Sequence, residues 1–328
     1  MSSRPSFKLL PIVLVLIAPT VFAQAIIADE AAAIAEAAQR FMASGKPMVI
    51  NADKLKDMMA NPATAPMLIS VCAPDDFAKA HVPGSINIPR GAFFKPPMQA
   101  KLPPKDKMIV TYCYTGTGAV GPAVVLNLMG YNAAQLEWGM MGWSKNDAGL
   151  GPASRFPESQ QKYPVVTGPQ GTAVTYARPV VATGKATLGE VLVERGDAVE
   201  SADRSVSMTA EAVQALLTDA NPANDPFVVD VRAAADFVKG HIAGAINIPA
   251  VGVYQAGNLA KLPLGRRIVV ADHTGMTAVG ISYVLSIMGY DARGLQYGMM
   301  GWNTDDSLLG GFKRFPGDMQ RDFPTASR

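Results

Sequence analysis

The chain has 328 residues, of which 49% are hydrophobic and 17% charged, with a net charge of +2. That length and apolar content predict two packed domains. The near-neutral balance carries no basic stripe and excludes a nucleic-acid-binding signature.

Arg4 and Lys8 give a positive start, Leu9 to Ala18 is a short apolar run, and small-residue patterns follow at Val21-Phe22-Ala23 and Ala23-Gln24-Ala25. Residues 1–25 read as a cleavable signal peptide, with cleavage after Ala25; an uncleaved anchor is the alternative. The expectation is an exported, periplasmic protein with no membrane span after cleavage. Residues 26–46 are a helical lead-in, Ala-rich from Ala31 to Ser44. Val49 to Asn51 reads as a short strand, with Asn51 capping a helix over Ala52 to Ala60. Met67 to Val71 is an apolar run of strand length, and Asp75 to Ala80 one or two helical turns. His81 to Pro89 (HVPGSINIP) reads as a turn and a strand, before a looped stretch with Pro96, Pro97, Pro103 and Pro104.

Met108 to Tyr112 is the next buried strand. Cys113 stands at its end, a small polar loop follows (Tyr114, Thr115, Gly116, Thr117, Gly118), and an apolar helix runs from about Ala119 to Met129, stopped by Gly130. Alternating strands and helices predict an α/β fold with a parallel sheet, whose ligands bind at the carboxyl ends of strands. A glycine-containing loop before a helix converges backbone N–H groups, which favour a thiolate. A buried, inert core cysteine is the competing reading, and the loop alone leaves the two level.

The pattern then repeats. Ile268 to Tyr290 (IVVADHTGMTAVGISYVLSIMGY) restates the Cys113 stretch at an offset of 159 (289 − 130), placing Asp272 where the thiol was. His241 to Pro249 restates His81 to Pro89 at an offset of 160 (241 − 81). Gly139-Met140-Met141-Gly142-Trp143 recurs as Gly298-Met299-Met300-Gly301-Trp302, and Arg155-Phe156-Pro157 as Arg314-Phe315-Pro316. This is a duplicated domain, not a short-period solenoid. The expected boundaries are 47–157 for the copy with the cysteine, 158–203 for a linker and extension, and 204–328 for the copy without it. Within the linker, Leu188 to Ser205 reads as an ordered extension of the second copy.

The two histidine motifs and the strand–Cys–loop–helix ending in Met-Gly-Tyr, followed by Gly-Met-x-Gly-Trp, resemble the rhodanese-like sulfurtransferases over about 47–157 and 204–316. The resemblance implies two tandem rhodanese-like domains, each a small parallel sheet with helices on both faces. It implies that Cys113 accepts a sulfane sulfur from a donor (thiosulfate, a polysulfide or a persulfide) and passes it to a thiol or cyanide, with no cofactor. The loop Tyr114 to Gly118 would cradle the persulfide, and Asp272 would mark a degenerate site. The alternative is a sulfur or redox carrier without turnover, or a module that docks a periplasmic protein partner. A purely structural thiol is the third reading.

Four departures from the family bear on this. The cysteine lies in the N-terminal copy, whereas tandem members carry it in the C-terminal one. The loop holds no cation, so the donor stays open; Arg90, Lys101 and Lys105 are outside candidates. Ala119 stands where the related phosphatases have arginine, which sets phosphatase activity aside. The family's Asp-x-Arg is present as Asp230-Val231-Arg232 but replaced by Ser70-Val71-Cys72 in the active copy. Cys72 is therefore either a resolving thiol beside Cys113 or an apolar filler. His81 and His241 occur in both copies and read as structural, the three histidines give no metal spacing, and Met140, Met141, Met299 and Met300 read as core.

Overall fold

A computed structural model describes residues 27–96, 100–145, 161–169, 174–202 and 205–327. The signal-peptide expectation for residues 1–25 and the repeat at Arg155-Phe156-Pro157 lie outside the described residues.

Each copy is a five-stranded parallel sheet. In the first, β1 (Val49–Ile50), β2 (Met67–Ser70), β3 (Ile86–Asn87), β4 (Met108–Tyr112) and β5 (Asn132–Leu136) lie in the order β1-β5-β4-β2-β3. In the second, β6 (Ser207–Met208), β7 (Phe227–Asp230), β8 (Ile246–Asn247), β9 (Ile268–Ala271) and β10 (Ala292–Leu295) repeat it as β6-β10-β9-β7-β8. The central strands are continuous apolar runs because helices cover both faces. Asn51 caps the next helix by accepting the Lys54 N–H at 2.8 Å. β5, rich in alanine and without strand patterning, is held in place by pairing on both sides, Val49 against Gln135 and Ile109 against Ala133. Among the described residues no helix is long and apolar enough to cross a membrane.

The helices are α1 (Glu30–Ala43), α2 (Ala52–Ala60), α3 (Pro74–Lys79), α4 (Val120–Leu128), α5 (Gly139–Trp143), α6 (Leu188–Ser201), α7 (Ala210–Thr218), α8 (Ala234–Phe237), α9 (Ala256–Leu259), α10 (Met276–Ile287) and α11 (Gly298–Trp302). The helix read from Ala119 begins earlier, as a 3-10 turn over Thr117–Ala119, before α4 proper.

The copies join through α4 and α10. Gly121 and Gly280 are equivalent positions (280 − 121 = 159), and each gives the other helix room. A Cβ on Gly280 would lie 2.9 Å from Val120, and one on Gly121 would overlap the Tyr283 ring. α1 and α6 are likewise equivalent, both lying 158 positions apart with the strands that follow them (207 − 49). Ile34, Ala38 and Phe41 on α1 correspond to Leu192, Gly196 and Val199 on α6, all six buried. α6, read from sequence as an extension of the second copy, packs on α4, on α10 and on the 3-10 turn Arg90–Ala92 of the first copy. Its apolar stripe joins one core shared by both copies.

The segments that follow each copy are exchanged. Residues 161–169 lie on the second copy, where Trp302 donates to the Pro164 carbonyl at 3.0 Å and Val166 bridges His241. The chain's C-terminal segment returns to the first copy, where Trp143 donates to the Pro324 carbonyl at 2.9 Å and Ala326 bridges His81.

Candidate functional site

Cys113 follows β4, the middle strand of its sheet, at the carboxyl edge. The loop turns back at Gly116, whose φ of +87° only glycine takes without strain. The hydroxyl of Thr111 donates to the Ala119 carbonyl at 2.9 Å and ties the far end of the loop to the strand. The N–H groups of Thr115, Gly116 and Gly118 lie near enough to the Cys113 sulfur to favour its thiolate. The floor is set by Trp138, left-handed at φ 59°. It starts α5 so that Met140 N–H reaches the Cys113 carbonyl at 2.9 Å and Met141 N–H the Tyr114 carbonyl at 3.0 Å. The second copy repeats this with Tyr297 at φ 62° and Met299 N–H on the Asp272 carbonyl at 2.8 Å. Such a residue in both copies marks a loop held by its surroundings.

The Cys113 side chain is nearly closed off, with the residue 5% exposed. Burial is the largest influence on the thiol and pushes it above its ordinary range; the three N–H groups and Arg90 act in the opposite direction. The second copy places a carboxyl group at the same point; burial raises Asp272 above its ordinary range, and the loop N–H groups act in the opposite direction. Asp272 accepts the N–H of Gly275, of Thr277 at 2.9 Å and of Ala278 at 3.3 Å. One copy thus fills its cradle with its own carboxyl group, and the other presents a sulfur to it.

The cation missing from the loop comes from the turn after β3. A Cβ on Gly118 would lie 3.4 Å from the Cys113 Sγ, 3.5 Å from the Arg90 Cδ and 3.8 Å from its Nη1, so guanidinium and sulfur flank one spot. Arg90 Nε in turn donates to Glu200 Oε2 of α6 at 2.8 Å, with the Glu200 side chain 2% exposed. Arg90 directly follows the His81–Pro89 motif and aligns with Ala250 in the copy lacking the thiol. That difference between copies was the available sequence signal; for Glu200 there was none. Lys105 lies elsewhere, donating to the Met129 carbonyl at 2.7 Å at the far end of α4, and Lys101 is exposed.

Ser70 ends β2 and Cys72 follows two residues later; β2 pairs with β4, Ser70 opposite Tyr112. Ser70 Oγ accepts the Cys72 N–H at 3.4 Å. Cys72 and Cys113 are both free, buried thiols. They follow the carboxyl ends of the paired strands β2 and β4, and Cys72 is pushed up to about 12, first by burial and then by the Cys113 charge. Tyr114 turns away from the sulfur; its hydroxyl donates to Asp76 and accepts the Ala73 N–H at 3.1 Å. Thr115 and Thr117 bond each other through their hydroxyls at 3.0 Å. In the second copy Arg232 forks onto Asp230, and His273 replaces Tyr114 on Asp236 at 3.1 Å.

His81 and His241 are tied by Nδ1 to the carbonyls of Phe77 and Phe237 at 2.7 and 2.9 Å, and stack on those rings. That geometry holds a turn rather than a substrate. Met140, Met141, Met299 and Met300 are buried core. At Asp272 a cleft of about 500 Å3 opens, walled by Phe41, Met42, Ala250, Met276 and Phe312 among others. Met42 and Ala250 stand where the first copy has Glu200 (200 − 42 = 158) and Arg90 (250 − 90 = 160).

No curated protein matches the chain. Among solved structures it is similar to a thiosulfate sulfurtransferase from Pseudomonas aeruginosa, at 15% identity over 92% of this chain and 49% of that one, with a TM-score of 0.30. It is also similar to a rhodanese-related protein from Thermoplasma volcanium (24% identity, 29% of this chain, 88% of that one, TM-score 0.26). A rhodanese-like domain protein from Staphylococcus aureus matches at 24% identity over 29% of this chain and 89% of that one, with a TM-score of 0.27. These superpositions are too low to carry an argument. The family model for the rhodanese-like domain, however, matches twice, over residues 51–146 and 209–305, once on each sheet just described. With more than half its length inside those two matches, the chain belongs to the rhodanese-like domain family, a family of sulfurtransferase type.

Proposed function

We propose that the protein is a sulfurtransferase that carries a sulfane sulfur on Cys113. The observation that supports this most is the cradle: the equivalent loop that holds the Asp272 carboxyl in one copy, with two of its three N–H donors at matching positions, faces a thiol in the other, and Arg90 flanks the same loop. The Cys113 thiolate attacks the outer sulfur of the donor. The donor's S–S bond breaks, its electron pair leaving on sulfite or on an organic thiolate, and a new S–S bond forms at Cys113. The loop N–H groups hold the negative terminal sulfur of the persulfide. A thiol or cyanide then attacks that sulfur, and Cys113 leaves as thiolate. Sulfur moves as the neutral atom, so no oxidant or reductant is consumed.

Peptide mass spectrometry after exposure to thiosulfate, polysulfide or glutathione persulfide tests the reading. One added sulfur on Cys113 and none on Cys72 is expected; an unloaded Cys113 with all three donors overturns it. The burial of Cys113 favours a second reading, a carrier that loads but turns over only with a docked protein partner. Loading without cycling to cyanide would support it. We propose a periplasmic location on the strength of residues 1–25; a protein found only in the cytoplasm with those residues intact would refute that.

A further inference from the structure

The linker helix α6 contributes a carboxylate to the neighbourhood of Cys113. Glu200 is fully enclosed, its Oε2 accepts Arg90 Nε at 2.8 Å, and Arg90 is 32% exposed on its side chain. On its other side the Tyr283 hydroxyl of α10 is raised well above its ordinary range, by burial first and then by the Glu200 charge. The guanidinium that flanks the Gly118 position together with the sulfur is therefore already paired. A cation paired at this distance has little field left for a second anion, and a dianion loses more by that than a monoanion does. The degenerate copy has neither member of the pair: Met42 and Ala250 replace them, and an open cleft stands there instead.

We infer that Glu200 is a specificity-determining residue, which by pairing with Arg90 turns the Cys113 site away from dianionic thiosulfate and towards neutral or singly charged sulfane donors, namely organic persulfides. The inference rests on the sulfur-transfer reading above. Glu200 touches no reacting atom; it acts through Arg90 and is a positioning residue.

The test compares kcat/KM for thiosulfate and for cysteine persulfide, whose net charge is no more than one negative, with cyanide as acceptor, in the full mature chain. Wild type is expected to prefer cysteine persulfide. Glu200→Gln keeps the shape and one hydrogen bond but removes the charge, and is expected to shift the ratio towards thiosulfate on the order of tenfold. Arg90→Gln leaves Glu200 unpaired and shifts the ratio the other way, and the double variant returns towards wild type. Arg90→Gln decides the matter if Glu200→Gln fails to fold. A merely structural Glu200 lowers both donors by the same factor, so an unchanged ratio with intact transfer overturns the inference alone. A Cys113 that accepts sulfur from neither donor overturns the sulfur-transfer reading with it.

Discussion

Removing Arg232 from the second copy isolates the energetics of the Asp-x-Arg motif that the first copy lacks. Its guanidinium meets Asp230 at 2.7 to 3.1 Å through Nε and Nη2, and also donates to the Leu308 and Gly240 carbonyls at 2.9 and 2.7 Å. Both side chains are almost wholly enclosed. Arg232→Ala leaves a buried carboxylate without its cation, which costs about 3–5 kcal/mol. Transplanting the first copy's residues, Asp230→Ser with Arg232→Cys, removes both charges together. What remains is two carbonyls without their donor, about 1–3 kcal/mol each, a loss the single variant carries as well on top of its unpaired carboxylate. The double variant is thus expected to be more stable than the single one, a strong non-additivity. Urea unfolding followed by tryptophan fluorescence reads the order. Arg232→Ala within about 1 kcal/mol of wild type, or a double variant less stable than the single, would refute the reasoning.

Gly118→Ala places a methyl 3.4 Å from the Cys113 sulfur and 3.5 Å from Arg90, ordinary contacts that let the protein fold. Its melting temperature is expected to stay near wild type while Cys113 loading falls at least about tenfold; unchanged loading would show that sulfur approaches from another side. Cys72, at about 12, holds only about one part in 10⁵ as thiolate at pH 7. After one equivalent of peroxide turns the Cys113 thiol to its sulfenic acid, with release of water, attack on that sulfur by the Cys72 thiolate with loss of hydroxide is expected to be slow at pH 7 and about tenfold faster per pH unit above it. Rapid Cys72–Cys113 disulfide formation at pH 7, seen in non-reduced peptide maps, would contradict the filler reading of Cys72. Deleting residues 321–328 removes the Pro324 carbonyl from Trp143, the Phe323 ring at 5.0 Å from it and the Arg321–Asp53 pair. Hydrogen exchange should rise in the first copy and not around Trp302; a uniform rise would argue against the exchanged segments.

The fold was legible because its signals are local and occur twice. Met108 to Tyr112 is an unbroken buried run, Asn51 caps the helix that follows it, and each of these has its counterpart about 159 residues on. Cys113 at the end of the middle strand was legible for the same reason. β5 was not, because Ala133 and Ala134 carry no strand pattern and owe their conformation to β1 and β4 on either side. Arg90 was a candidate without a place, since the contact that matters spans the β3 turn and the loop. Glu200 and the exchanged terminal segments depend on how two copies pack, which no single-copy pattern encodes. The equivalence of α1 and α6 escaped because only their buried positions agree, not their residues.

The central claim is that Cys113, and no other group, carries sulfur in a catalytic cycle. The most direct measurement is steady-state transfer from glutathione persulfide and from thiosulfate to cyanide by the mature protein, beside Cys113→Ser and Cys72→Ser. Multiple turnovers are expected in wild type and in Cys72→Ser, and none in Cys113→Ser. Turnover that survives Cys113→Ser, or a wild-type protein that neither cycles nor takes up sulfur on Cys113, would contradict it.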